Sequence, residues 1–147
     1  MEFDYEEPII ILNKIRTPDG TELISRYNHD YVSYKDNNGN VYVVDGGNSY
    51  LRRSGPGDYT ELSIVYNDNT DWELVRENFN RGVRDPNNDI KWIPLYKLSN
   101  NHIENIIIDY SIKPNQTNNT IWIYENEIEY RKKHSIVLAD YDYFEDS

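Results

Sequence analysis

The stretch Tyr27–Ser54, YNHDYVSYKDNNGNVYVVDGGNSYLRRS, reads as a strand, a glycine turn, a second strand, a double-glycine break and a paired arginine. Asp30–Lys35 and Asn40–Asp45 are rich in tyrosine and valine, side chains that suit a half-buried pleated surface. Asn37-Asn38-Gly39 between them offers the left-handed position that a tight hairpin needs. Gly46-Gly47 ends the second strand sharply, and Tyr50–Arg53 reads as a short further strand. Upstream, Ile9–Arg16 and Thr21–Tyr27 flank Pro18-Asp19-Gly20, where proline presets the first corner and glycine permits positive φ. Downstream, Ser54-Gly55-Pro56-Gly57 is a loop, and Tyr59–Tyr66 alternates well enough to be one more strand.

From Thr70 the periodicity turns helical. Thr70-Asp71-Trp72-Glu73 has the form of a capping box, and Trp72, Val75, Arg76 and Phe79 share one face of a helix reaching about Asn80. Arg81–Asp89 reads as a polar loop, and Lys91-Trp92-Ile93 as a short strand. Ser99 is the expected N-cap of a helix to about Asp109, with Ile103, Ile106 and Ile107 inward. After a loop over Lys113–Asn119, a last helix near Thr120–His134 buries Ile121, Tyr124 and Ile128 and pairs Glu129 with Lys133 on its surface. The expected fold is therefore α+β: an antiparallel sheet of consecutive hairpins, with about three helices packed on it from the C-terminal half. The chain reads as a single domain over 1–147 whose acidic tail, 140–147, frays.

Composition bounds the chemistry. The 147 residues are enough to bury about two-thirds of the unfolded surface in one core. Only 37% of them are hydrophobic, but 14 tyrosines, 3 tryptophans and 3 phenylalanines supply large contact areas and argue against disorder. A formal charge of −11 opposes a nonspecific grip on DNA or RNA, which needs cations to displace counterions. Solubility, a basic protein partner or mimicry of nucleic acid remain compatible with it. The chain has no cysteine, so disulfides and thiolate metal sites are excluded and a reducing compartment fits. The acidic opening MEFDYEEPIII differs from the basic start of a signal peptide, and the expectation is a cytoplasmic protein.

No nucleophile–base or paired-carboxylate arrangement stands out, so no catalytic residue is assigned. His29-Asp30 has the form of a metal-binding pair, but neighbouring strand residues point to opposite faces, and no metal or cofactor is expected. Asp45-Gly46-Gly47 could let backbone amides approach an anion, or could simply be a turn. The most informative set is Arg26, Arg52, Arg53, Arg81 and Arg84, set near element ends in an acidic chain. Guanidinium forks clamp phosphates or carboxylates, and tyrosines beside them can stack a base; alternatively the arginines pair with surrounding acids.

These residues also carry a resemblance. Arg26, His29-Asp30-Tyr31-Val32, Tyr34, Asn38-Gly39, Tyr42, Val44-Asp45-Gly46-Gly47 and Tyr50-Leu51-Arg52-Arg53 are similar to a family of small proteins of tailed bacteriophages and prophages. The likeness extends through Ile15–Thr21, Phe79–Arg84, Trp92–Leu95, Leu98 and His102-Ile103, about two-thirds of the chain. Asn80-Arg81-Gly82-Val83 is less aromatic than the family pattern, and the acidic tail is peculiar to this member. The resemblance implies a phage accessory protein in the host cytoplasm, acting by binding rather than catalysis. The expected ligand surface is Arg26, His29, Asp45, Gly46, Gly47, Tyr50, Arg52, Arg53, Arg81 and Arg84. It would take a nucleotide-derived immune signal or a host defence protein, with a homo-oligomer as the expected assembly. The alternatives are an acidic DNA mimic that inhibits a host nucleic-acid-binding enzyme and a small nucleotide-processing enzyme using His29 and Asp30.

Overall fold

Pro18-Asp19-Gly20 closes the first hairpin as its chemistry dictates. Gly20 takes φ +91°, and the Asp19 carboxylate accepts the Thr21 N–H at 3.0 Å. The computed structural model describes residues 9–26, 30–47, 51–67, 69–112 and 120–145. It divides into two compact units, Met1–Asp71 and Trp72–Ser147, and each is taken by itself. Among the described residues, strands in hairpins fill the N-terminal half and three α-helices lie in the C-terminal half, so the fold is α+β.

In the first unit, β1 (Ile9–Arg16) pairs antiparallel with β2 (Glu22–Ser25) on one side. On its other side it meets β6 (Thr60–Glu61) and β7 (Ile64–Tyr66). The single strand expected over Tyr59–Tyr66 is thus two strands. The break has a local cause: the Ser63 hydroxyl accepts the Lys14 N–H at 2.9 Å, a donor that a ladder carbonyl would otherwise take. A second sheet has the order β3–β4–β5, formed by Tyr31–Lys35, Val41–Asp45 and Arg52–Ser54. Its hairpin register pairs Tyr31 with Asp45 and Lys35 with Val41 around Gly39, at φ +83°. Alternation then sorts the faces. Tyr42 and Val44 are buried and join Ile15 and Leu23 in one apolar cluster, against which Val32, Tyr34 and Tyr59 pack. Tyr31, Ser33, Val41 and Val43 fall on the opposite face.

The second unit runs α1 (Trp72–Asn78), β8 (Asn80–Arg84), β9 (Ile90–Pro94), a 3₁₀ turn at Leu95–Lys97, α2 (Asn100–Ile112) and α3 (Ile121–Lys133). The Ser99 N-cap forms as expected, with its hydroxyl accepting the His102 N–H at 3.1 Å. Four expectations need correction. Thr70 does not sit at the capping position, because α1 starts at Trp72 and the Thr70 hydroxyl accepts the Asn67 N–H instead. Arg81–Asp89 is not a loop. It supplies most of a β8–β9 hairpin, turned by the Asp85 carboxylate, which accepts the Asn87 and Asp89 amides at 2.9 Å each. The buried face of α3 is Trp122, Ile123, Tyr124, Glu127 and Arg131, while Ile121 and Ile128 are half-buried. On the outer face Glu129 pairs with Lys132, at 3.5 Å, rather than with Lys133.

The tail expected to fray is held over the start of α2 as far as it is described. Ser99 donates to Asp140 at 2.7 Å, and the Tyr143 hydroxyl accepts the Ser99 N–H at 2.8 Å and lies 2.9 Å from His102 Nδ1. The expected loop at Lys113–Asn119 lies outside the described residues. No helix among those residues is long and apolar enough to cross a membrane.

Candidate functional site

Strand β5 carries the strongest candidate. Period two sends its neighbouring arginines to opposite faces: Arg52 stands across from Asp45 on the outer face, and Arg53 stands across from the buried Val44. Arg53 is then committed to an ion pair with Glu61. The two arginines leave the strand on opposite faces, yet both border one groove. An open groove of about 640 Å³ runs along β5, lined by Tyr31, Val43, Asp45, Leu51, Arg52, Arg53, Ser54 and Tyr59. Arg52 is its exposed cation, Asp45 a half-buried carboxylate on the neighbouring strand, and Tyr31 an exposed ring one strand further on.

The glycine break beside this groove is a structural joint. Gly46 takes φ +93°, where a side chain would be strained, and both Gly46 and Gly47 are buried. The buried Asn13 amide donates to the carbonyls of Asp45 and Gly46 at 2.9 Å each, and the Ser25 hydroxyl lies 2.7 Å from the Gly46 carbonyl. These contacts turn the Asp45 and Gly46 carbonyls into the unit. Arg26 is half-buried; burial pushes its pKa down, partly offset by Asp30, whose carboxylate also accepts the Arg26 N–H at 3.0 Å. It does not line the β5 groove. His29 and Tyr50 lie outside the described residues.

Comparison of the chain with protein-family models, with curated proteins and with solved structures finds no match. The site is therefore argued from its own geometry.

Arg81 and Arg84 belong to the second unit, both on β8. The Arg84 guanidinium donates to the Asn88 carbonyl at 2.9 Å and so braces its own hairpin turn. Arg81 lies over the Tyr124 ring, 5.9 Å from its centre. Burial works against its charge, but the phenol groups of Tyr124 and Tyr110 outweigh this and hold its pKa up.

The largest polar constellation in this unit is one that the sequence reading missed. Glu127 is fully buried, and it receives Arg131 Nε at 2.8 Å, Arg76 Nε at 2.8 Å and Trp72 Nε1 at 3.1 Å. The rest of the Arg131 fork donates to Asn100 at 2.8 Å and to the Leu95 carbonyl at 3.1 Å, tying α3 to the 3₁₀ turn and to α2. The available signal was the four-residue spacing of Glu127 and Arg131, which puts the two on one helix face. Among the described residues no group of three or more His, Asp or Glu side chains converges as a metal site would require.

Proposed function

We propose that this chain is a non-enzymatic phage accessory protein of the counter-defence kind, working by binding a nucleotide-type signal in the β5 groove. The observation that carries the reading is the groove's lining: an exposed guanidinium, Arg52, with the rings of Tyr31 and Tyr59 and the Asp45 carboxylate around about 640 Å³. That volume falls within the roughly 300–1,000 Å³ of small-molecule sites. A guanidinium fork matches a phosphate, a phenol ring stacks on a base, and a carboxylate accepts hydrogen bonds from ribose hydroxyls or an exocyclic amine. The chain's charge of −11 favours a single nucleotide over a strand, because a polymer brings many phosphates and a nucleotide few. The phage context rests on the sequence resemblance.

Native mass spectrometry of the protein taken from phage-challenged bacteria tests this reading. A bound mass of nucleotide type is the expected result, and it would name the ligand's class. A bare chain mass with a host protein co-purifying would instead move the target to that protein.

A further inference from the structure

The second unit has a polar pocket of its own. The i, i+3, i+4 spacing of Glu73, Arg76 and Glu77 places all three on one face of α1. With Pro94 and Tyr96 they line a cavity of about 490 Å³. Arg76 is fixed from behind: its Nε donates to both Glu127 oxygens, at 2.8 and 3.0 Å, and its guanidinium lies 4.5 Å from the Tyr130 ring centre. Arg76 also lines the cavity. Among the described residues, Glu127 is the carboxylate that Arg76 pairs with.

Charge then decides what fits. Arg76 and Arg131 share the one Glu127 carboxylate, so Glu127 alone does not neutralise both guanidiniums. Glu73 and Glu77 are exposed on the same face and favour a cation. A simple anion meets two glutamates, and a simple cation meets the guanidinium. A zwitterion satisfies both. Pro94 and Tyr96 give the pocket an apolar wall, and the same two residues border a neighbouring groove of about 470 Å³ that includes Trp92, Ile93 and Leu138.

We infer that this pocket binds a free α-amino acid with a large apolar or aromatic side chain. The carboxylate takes the Arg76 fork, the ammonium lies between Glu73 and Glu77, and the side chain rests on Tyr96. The site is separate from the β5 groove, so a failure of the nucleotide reading leaves it standing.

Amide NMR of the full chain, titrated with phenylalanine, 3-phenylpropanoate and phenethylamine, tests the inference. Phenylalanine should shift the amides of residues 73–77 and 96 saturably, and each single-charge analogue should bind about tenfold more weakly or less. Glu73→Gln with Glu77→Gln leaves the Glu127 network intact and should erase the preference for phenylalanine over 3-phenylpropanoate. Arg76→Lys keeps a charge beside Glu127 but removes the fork, and should erase the preference over phenethylamine. The inference is overturned if phenylalanine, leucine, tyrosine and tryptophan all leave these amides unmoved at about 10 mM, a concentration that would reveal even weak binding. It is equally overturned if both analogues bind as well as phenylalanine, or if the variants leave the preference unchanged.

Discussion

Arg52 in the first unit and Arg131 in the second stand in contrasting settings, one exposed and one buried. The first unit closes on an apolar cluster of Ile15, Leu23, Tyr42 and Val44 and holds Arg52 exposed on a strand beside a groove. The second takes charge into its centre, with Glu127 at 0% and Arg131 at 1% exposure. Such burial is tolerable because the Arg131 fork finds acceptors in Glu127, Asn100 and the Leu95 carbonyl, and Glu127 collects donors from three side chains. An arginine whose donors are all placed within the protein is framework. One that lines a groove, as Arg52 does, stands where a ligand would meet it.

The sharpest break of this comparison is Glu127→Ala. It leaves the buried Arg131 and the half-buried Arg76 guanidiniums without their carboxylate and should cost about 3–5 kcal/mol. All three tryptophans, Trp72, Trp92 and Trp122, lie in the second unit, so urea unfolding followed by tryptophan fluorescence reads the loss there directly. A loss below about 1 kcal/mol, the range of exposed ion pairs, would mean that the triad is not framework.

The first unit should be most sensitive where backbone meets side chain. A Cβ at Gly55 would stand 2.5 Å from the Tyr42 ring, so Gly55→Ala should cost about 1–3 kcal/mol through overpacking. Asn13→Ala strips the donor from two carbonyls and should cost about 1–3 kcal/mol. Hydrogen exchange at Tyr42 and Val44 measures both, and unchanged protection in either variant would remove that contact from the account.

Acid sharpens the comparison further. Burial and the nearby Arg81 charge push the His102 pKa below its ordinary 6.5, with Asp140 acting the other way. Below that value the unfolded chain takes up the proton more readily than the folded one. Stability of the second unit is therefore complete above about pH 6.5 and declines as pH falls towards the folded value. His102→Gln should flatten this limb of the pH profile, and a profile identical to that of the parent would exclude His102 as its source. The smallest stability effect belongs to Arg52→Ala, expected within about 0.5 kcal/mol, as for a surface substitution away from packing features.

How much of this was legible in the sequence follows from what each residue type hides. The first two hairpins were readable because Gly20 and Gly39 mark backbone positions that few other residues adopt. The β8–β9 hairpin was missed because Arg81, with Val83, occupies an inward position in a run that composition marks as polar. The inner face of α3 was misplaced for the same reason: Glu127 and Arg131 look like solvent residues until their partners on α1 and α2 are known. For the site, Arg52 was legible and its separation from Arg53 could have been, since the alternation that parts His29 from Asp30 also parts two arginines on a strand. Tyr31 and Val43 were not, because only the register with Asp45 and Ser54 shows that they share the groove.

Calorimetry of the parent chain and of Arg52→Ala, against a panel of cyclic nucleotides and ADP-ribose derivatives, tests the central claim most directly. The account predicts saturable binding of one class by the parent and a loss of about tenfold or more in the variant, the worth of a charge-assisted contact to phosphate. Binding of equal strength in both proteins, or no heat from any member of the panel, would contradict it.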